Sequence, residues 1–286
     1  MSEEKSSPIG IIIIVVAAAI ITGCASGKSA GENKPAKNQE TVKPTTPEKP
    51  AEPPKPKYDF TKGLVAYYPF NGNAKDESGN GHDGEVKGAT LAKDRHGEEA
   101  KTYSFDGQDD FIEVADADSL DLGNEAGKEW TVTIWFKGNI KREGWLLRKG
   151  EGGGSRTTDY GVLASPKHRG FVWGTGRSSG AGGNDVTEWM AIPSNVGSDE
   201  WHHVVATYKQ GALNEGFKLF YIDGQVAGST DSGKLKNPAN DGPLRIGAYQ
   251  NRRACWAGSI DDVRIYNRAL SEEQVKALYE FEKPKK

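Results

Sequence analysis

The chain has 286 residues, and 37 Lys and Arg stand against 40 Asp and Glu, which gives a formal net charge of −3. This near-balance gives no reason to expect nucleic acid as a partner. The two cysteines allow at most one intramolecular disulfide, which excludes a disulfide-built scaffold. All 26 aromatic residues (7 Trp, 10 Tyr and 9 Phe) lie beyond position 57. The first fifth of the chain therefore cannot build a core, whereas 58–286 is long enough for one large domain.

Residues 9–23 form an apolar run of 15 positions that ends at Cys24. A helix of that length spans about 22 Å, less than the ~30 Å core of a bilayer, so the run fits a secretory signal better than a membrane-spanning helix. The residues Ile21-Thr22-Gly23-Cys24-Ala25 resemble a bacterial lipobox, in which the cysteine is acylated and becomes the mature N-terminus. Glu3 and Glu4 depart from the basic start of such signals, which leaves an uncleaved membrane anchor as the alternative.

Residues 25–57 are typical of a disordered linker. They contain seven Pro, seven Lys and four Glu, with Val42 as the one branched apolar residue, so burial cannot offset their ordering entropy. The sequence thus predicts a lipoprotein signal peptide over 1–24 with lipidation at Cys24, a linker over 25–57 and a folded domain over 58–286. The protein is expected to be exported and held by its lipid at a bacterial envelope membrane, either the outer membrane or the cell surface.

From Lys57 onward, short β-rich runs alternate with glycine and asparagine, and they predict an all-β sandwich or jelly roll. The predicted strands are Gly63–Tyr68, Thr102–Phe105, Phe111–Val114, Trp130–Phe136, Trp145–Arg148, Tyr160–Ala164, Gly170–Trp173, Glu188–Ile192, Trp201–Tyr208, Phe217–Ile222, Gln225–Gly228, Pro243–Ala248 and Ile260–Tyr266.

Three local patterns are specific. Alternation within Trp130–Phe136 places Val132, Ile134 and Phe136 on one face. Asp223-Gly224 between two strand-forming runs predicts a two-residue hairpin turn. A capping box at Ser271 predicts one short helix that ends near Phe281.

Six blocks carry a family resemblance, and they occur in order along the chain. They are Gly63-Leu-Val-Ala-Tyr-Tyr-Pro-Phe-Asn-Gly-Asn73, Asp76-Glu-Ser-Gly-Asn-Gly-His-Asp-Gly84, Tyr103-Ser-Phe-Asp-Gly-Gln-Asp-Asp-Phe-Ile-Glu-Val114, Trp201-His-His-Val-Val-Ala-Thr-Tyr208, Tyr221-Ile-Asp-Gly224 and Gly258-Ser-Ile-Asp-Asp-Val-Arg-Ile-Tyr-Asn-Arg-Ala-Leu270. Residues 63–280 therefore resemble a bacterial laminin-G-like, concanavalin A-like jelly-roll domain. The resemblance implies two packed antiparallel sheets whose first and last strands are neighbours. It also implies binding of carbohydrate or protein, although fold alone does not determine function.

The segment Asp76–Gly81 places oxygen ligands at alternate positions and a glycine sixth, like the opening of a calcium loop. Lys87 occupies the twelfth position, so this is not an EF-hand. The resemblance implies one structural Ca²⁺ held by this loop and by the acidic pair on the last strand. The predicted ligands are Asp76, Asn80, Asp261 and Asp262, and Asp109-Asp110 is a further candidate.

An alternative without metal accounts for the same residues. Asp76 and Asn80 would then make turn hydrogen bonds only, and Asp262 would pair with Arg264 or Arg268. Two carboxylates brought close together need a cation, an arginine or a shared proton, because like charges at short range are costly.

Signatures of catalysis and metal binding elsewhere are weak. His202 and His203 are adjacent on a predicted strand, so their rings point to opposite faces and their role is structural. Cys255 is expected to be a buried thiol. Gly228–Leu235 lacks the final residue of a phosphate loop, and Gly176–Gly180 lacks the strand–turn–helix setting of a nucleophile elbow. The paired carboxylates that glycosidases of this fold carry are absent, so an enzyme is not expected.

Aromatic residues near loops are the candidates for ligand contact: Trp145, Trp173, Trp189, Trp256, Tyr160 and Tyr249. The glycine-rich segment Gly174–Asp185 is predicted to be a long loop whose Arg177 and Asn184 supply hydrogen bonds. The predicted ligand-binding set is Trp173, Arg177, Asn184, Trp189 and Tyr160. For each aromatic residue the alternative is packing in the core, and this is the interpretation for Trp130, Trp135 and Trp201.

Together these observations predict a membrane-tethered, non-catalytic binding module that recognises carbohydrate at the cell envelope or surface. The alternative is an adhesion or assembly domain that binds an envelope or extracellular protein and has no affinity for sugar. An enzyme acting on glycans would need catalytic groups that the motifs above do not supply.

Overall fold

The computed structural model describes residues 57–122, 129–138, 140–150, 157–177, 186–210, 216–232, 241–249 and 254–285. The predicted signal peptide with Cys24, and the predicted linker up to residue 56, lie outside these residues. Within the described ranges, no helix is both long and apolar enough to cross a membrane.

The described residues of the domain contain fifteen strands and one α-helix, α1 (Glu272–Glu282). The strands are β1 (Leu64–Tyr68), β2 (Gly84–Lys87), β3 (Thr90–Ala92), β4 (Thr102–Asp106), β5 (Phe111–Val114), β6 (Trp130–Gly138), β7 (Gly144–Lys149), β8 (Thr157–Ser165), β9 (Gly170–Arg177), β10 (Val186–Pro193), β11 (His202–Gln210), β12 (Gly216–Ile222), β13 (Gln225–Ser232), β14 (Leu244–Ile246) and β15 (Ala257–Tyr266). Short 3-10 turns occur at Asp118–Leu120 and Pro166–His168.

The strands form two antiparallel sheets that pack as a sandwich. The eight-stranded sheet has the order β13-β12-β11-β6-β15-β4-β3, and β1 pairs with β15. The seven-stranded sheet has the order β10-β9-β8-β7-β14-β5-β2. The first and last strands are neighbours, as expected. The predicted all-β, concanavalin A-like sandwich with one short C-terminal helix is confirmed.

Alternation along β6 shows how the sequence divides the faces of the eight-stranded sheet. Val132, Ile134 and Phe136 lie in the core between the sheets. The opposite face is buried too, because α1 packs over it through Val275 and Leu278 in a second apolar cluster. Because α1 covers this face of the sheet, the polar side chains on the face are removed from water and must find partners inside the protein.

The predicted turn and cap form as expected. Asp223 and Gly224 both have positive φ, 51° and 74°, as a two-residue hairpin turn requires. Ser271 and Gln274 make the reciprocal hydrogen bonds of a capping box at the start of α1. The two short strands β2 and β3 were not predicted, because neither is long enough to show an alternation of buried and exposed residues.

Candidate functional site

A cavity of about 850 Å³ lies at one end of the sandwich, between three loops. His202 at the start of β11 pairs with Phe136 near the end of β6, so the β6–β7, β8–β9 and β10–β11 loops emerge at the same end. Pro166 and Val196 give the cavity an apolar lining, whereas Arg169, Asn195 and Glu200 give it hydrogen-bonding groups. A mixed lining of this kind suits a polar ligand that also has an apolar surface.

Backbone hydrogen bonds hold two of these loops together. Arg169 has a φ of 56°, which is left-handed, and its N–H donates to the Pro166 carbonyl at 3.0 Å. The N–H of Ser194 donates to the Arg169 carbonyl at 2.9 Å. A Cβ at Gly170 would lie 2.1 Å from the Ile192 carbonyl oxygen, so glycine is needed where the chain leaves the turn. The wall of the cavity that the β8–β9 and β10–β11 loops form is therefore fixed to the end of the seven-stranded sheet.

A second cavity, of about 820 Å³, shares Asp199 and Glu200 with the first and extends to the end of α1. Trp201 and Tyr279 line it, and both rings are half-buried. Tyr279 is held in place because its ring stacks on Trp135, with the centroids 5.7 Å apart. We call the two cavities together the rim groove. It combines two flat aromatic faces with two neighbouring carboxylates.

The rim groove departs from the site that the sequence predicts. Trp201, which was expected in the core, lines the second cavity instead. Its position before β11, directly after the loop 194–200, is the signal that could have identified it. Trp130 and Trp135 are fully buried, as predicted.

Two of the predicted ligand-binding residues are in the core, which corrects that part of the prediction. Trp173 and Tyr160 are both 0% exposed, and they pack on Trp130 with centroid separations of 5.6 Å and 5.2 Å. Each ring lies on the inward face of its strand, because Tyr160 alternates with Val162 and Trp173 with Phe171. Neither ring can stack on a ligand at the surface.

The other predicted ligand residues remain predictions. Gly174–Arg177 belongs to β9 and not to the expected loop, and 178–185 lie outside the described residues. Asn184 lies outside the described residues, and so do the side chains of Arg177 and of Trp189 on β10.

Of the remaining aromatic candidates, Trp145 and Trp256 are buried and Tyr249 is half-buried. Trp256 lies in the core between the sheets. Trp145 and Tyr249 stack on each other at 6.2 Å, and the Arg148 guanidinium lies over both rings.

The predicted structural residues behave as expected. His202 and His203 point to opposite faces of β11: His202 bonds to Asp223 at 2.8 Å, while His203 stacks on Trp135 at 5.0 Å. Cys255 is a buried free thiol.

The Asp76 carboxylate, predicted to bind calcium, is occupied by donors from the protein. It accepts hydrogen bonds from the N–H groups of Tyr67, Ser78 and His82 at 2.9–3.0 Å and from the Ser78 hydroxyl at 2.9 Å. Burial alone would raise the pKa of Asp76, but these bonds hold it below its usual value. Asn80 donates its amide to the Val65 carbonyl at 2.8 Å. These contacts match the turn alternative.

The predicted acidic pair on the last strand faces an arginine. Arg95 donates Nη1 to Asp261 Oδ2 and Nη2 to Asp262 Oδ2, each at 2.5 Å. Burial and the neighbouring Asp262 raise the pKa of Asp261. Burial would also raise the pKa of Asp262, but Arg264 and Arg95 lower it. The predicted calcium ligands, Asp76 with Asp261 and Asp262, therefore do not fit a Ca²⁺ ion, because protein donors and a guanidinium hold their oxygens.

A further group of carboxylates lies at the end of β4 and in the β4–β5 loop. Oxygens of Asp106, Asp109 and Asp110 come within 4.8 Å of one another. Asp110 Oδ2 accepts the N–H of Asp106 at 2.9 Å, and Asp106 Oδ1 accepts the N–H of Gln108 at 2.7 Å. Asp109 and Asp110 were the secondary candidates for calcium, and that role stays a prediction.

Comparisons with known proteins agree with this architecture. The Laminin_G_3 family model, described as "Concanavalin A-like lectin/glucanases superfamily", matches residues 106–276. A relative by sequence is adhesion G-protein coupled receptor V1 of Danio rerio, 28% identical over 152 residues. That alignment covers 52% of this chain and 2% of the receptor, so the chain spans a small part of that relative.

Solved structures share the fold at low identity. The binding domain of Paraclostridial Mosquitocidal Protein 1 has a TM-score of 0.57 and 19% identity, over 77% of this chain and 52% of that one. Domain 4 of AbnA, an extracellular GH43 arabinanase from Geobacillus stearothermophilus in complex with arabinotriose, has a TM-score of 0.51 and 21% identity, over 76% and 98%. The botulinum neurotoxin serotype D binding domain has a TM-score of 0.56 and 15% identity, over 78% and 52%. Since the family model covers more than half of the chain, this protein belongs to the Laminin_G_3 family of the concanavalin A-like lectin/glucanases superfamily.

Proposed function

We propose that this domain is a non-catalytic carbohydrate-binding module and that the rim groove holds the sugar. The observation that carries the proposal is the pairing of two half-buried rings, Trp201 and Tyr279, with the carboxylates of Asp199 and Glu200. Sugars present apolar C–H faces that stack on flat rings and hydroxyl groups that bond to planar polar side chains. The rim groove offers both kinds of contact side by side.

The similar structures support a binding role. Domain 4 of AbnA is described in complex with arabinotriose, and a botulinum neurotoxin DC binding domain is described in complex with SialylT. Of the similar structures named above, two are binding domains. The third is a domain of an arabinanase whose structure contains arabinotriose. Because their identity to this chain is below 25%, they support the class of function and not a particular sugar.

A glycan array probed with the full chain tests the proposal, and the hit is then measured by calorimetry. Trp201→Ala is expected to weaken binding at least about tenfold, since a ring that stacks on a ligand commonly contributes more than ~1.4 kcal/mol. The matched control is Phe217→Ala. Phe217 is an exposed aromatic residue that pairs with Lys209 near the end of β11, away from the groove. Equal loss in both variants, or none in either, would contradict the assignment of the groove.

The second candidate function is the binding of a protein partner, which the adhesion-receptor relative favours. It predicts that the protein binds no glycan on the array and binds an envelope or extracellular protein instead. In that case Trp201→Ala would weaken the protein complex and not a sugar complex.

We also propose that the protein is exported and tethered through an acylated Cys24, with 25–57 as the spacer. The supporting observation is the apolar run that ends in Ile21-Thr22-Gly23-Cys24. In a bacterial host, mass spectrometry of the membrane fraction should find Cys24 acylated as the first residue. Cys24→Ser should abolish this modification. An unmodified chain that begins at Met1 would support the uncleaved anchor instead.

A further inference from the structure

Two consecutive carboxylates on β15 point to the same place. On a regular strand Asp261 and Asp262 would face opposite sides. Here the register of β15 against β6 shifts between Asp261 and Arg264, and Asp262 has a φ of 44°. This bulge turns both carboxylates toward Arg95, which comes from the segment between β3 and β4. A strained backbone that brings two acids together is the kind of feature that needs a functional or electrostatic reason.

Further contacts fix the position of the Arg95 side chain. Besides its two contacts to the acidic pair, its Nε donates to the Glu282 carbonyl at 2.8 Å. Its guanidinium carbon lies 4.9 Å from the centre of the Trp135 ring, and its side chain is 5% exposed. Arg95 therefore contacts the acidic pair, the end of α1 and the eight-stranded sheet.

The charges in this cluster are close to balance only when Arg95 is present. Asp261, Asp262 and Glu282 are the carboxylates, and Arg264 contacts both Asp262 and Glu282. With every carboxylate ionised, the five groups sum to −1 with Arg95, and the remaining four sum to −2 without it. Burial opposes this charge, because it raises the pKa of Asp261 and of Glu282. A divalent cation would neutralise that deficit. A cavity of about 210 Å³, lined by Asp94 and Asn71 as well as by the acidic pair, lies against Arg95 and gives an ion a route from solvent.

We propose that Arg95 is the resident cation of an acidic site that would otherwise take a divalent metal of the calcium class. The wild-type domain therefore needs no metal at Asp261 and Asp262. Removing the guanidinium creates a site that binds calcium through the oxygens of these two residues. This inference does not rest on the proposed sugar binding, because it is argued from the contacts of Arg95 beneath α1 and tested by the response to calcium.

Thermal melting of the full chain in calcium and in EDTA tests it. In EDTA, Arg95→Ala should lower Tm by roughly 10 °C, because two buried carboxylates lose their partner. Calcium at about a hundred times its Kd should recover about 5–10 °C of that gap. The double variant R95A/D261N should show no such recovery. Arg245→Ala, which breaks a pair with Glu113 on the other sheet, is the matched control and should be insensitive to calcium.

Terbium provides a second readout, since it shares calcium's preference for oxygen ligands and is excited by a nearby indole such as Trp135. Emission should appear in R95A, and D261N should remove it there but change nothing in the wild-type background. Arg95→Gln, which adds an amide oxygen, serves if R95A does not fold. The proposal is overturned if calcium does not reduce the difference in Tm between the wild type and either R95A or R95Q. It is also overturned if D261N, added to R95A, leaves the calcium and terbium responses in place.

Discussion

His203 should make the stability of this domain depend on pH between about 3 and 6.5. Its ring is fully buried on β11, where it stacks on Trp135 at 5.0 Å and on Tyr279 at 6.2 Å. Neither ring nitrogen has a hydrogen-bond partner among the residues that the structure describes. Burial, reinforced by the nearby Arg264 and Arg95, lowers the pKa of His203 to about 3. The folded protein therefore keeps this ring neutral at a pH where the unfolded chain protonates it.

The sign and size of the effect follow from this difference. Below the unfolded pKa of 6.5 the unfolded state binds one more proton than the folded state, so stability falls as pH falls. Each pH unit in this window costs about 1.4 kcal/mol. Between pH 7 and pH 5 His203 should therefore remove about 2 kcal/mol from the free energy of unfolding. Above pH 6.5 its contribution is fully retained.

His203→Phe isolates this contribution, because it keeps an aromatic ring in the stack and removes the proton-binding nitrogens. Urea unfolding of both full-length chains at pH 7, 6 and 5 gives the free energies. The variant should lose about 2 kcal/mol less than the wild type between pH 7 and 5, and all other titrating groups cancel in this comparison. His96→Gln removes an exposed imidazole as a control and should follow the wild type. Parallel profiles for wild type and H203F would refute the reasoning.

Two further substitutions test other parts of the framework by urea unfolding at pH 7. Ser271→Ala breaks the capping box with Gln274 and should cost about 1 kcal/mol, whereas an unchanged free energy would mean that α1 does not need its cap. Lys149→Met removes a fully buried amine that lies 2.5 Å from Asp116 and 2.8 Å from Asp121, and should cost about 3–5 kcal/mol. Adding Asp121→Asn should restore part of that loss. If the double variant is no more stable than K149M, the ion pair is not the cause.

Local patterns account for most of the fold that the sequence predicts. An Asp-Gly turn, a capping box and apolar alternation each involve residues a few positions apart, so their geometry follows from backbone sterics and hydrogen bonding. Local patterns do not predict the edge strands β2 and β3. These segments are strands because they pair with β5 and β4, which are distant from any local signal within them.

The predicted ligand site shows what local patterns leave open. Trp173 and Tyr160 lie beside glycines, which suggested rings near a loop, but the period-two rule places each with inward apolar neighbours. Applied to these strands, that rule would have assigned both rings to the core. Trp201 and Tyr279 form one surface although they are far apart in the sequence, and no spacing rule relates them.

The partner of the acidic pair is another feature that local patterns do not determine. The sequence predicts that Asp261 and Asp262 need a cation, an arginine or a shared proton, and the structure supplies the arginine. Arg95 is 166 positions from Asp261, so neither motif nor spacing could identify it. Only the bulge in β15 brings both carboxylates to one side, and a bulge of this kind leaves no mark in the pattern of apolar residues.

The same helix connects the ion cluster with the rim groove. The end of α1 is tied down through Glu282, which accepts the Trp135 indole N–H at 2.8 Å and the Arg95 Nε on its carbonyl. One turn earlier, Tyr279 stacks on Trp135 and lines the groove. Gly224 of the hairpin turn lies close to the same ring. A Cβ at Gly224 would lie 3.1 Å from that ring, so the turn and the helix are closely fitted. The charges that hold α1 on the sheet therefore also position one of the two aromatic faces of the proposed sugar site.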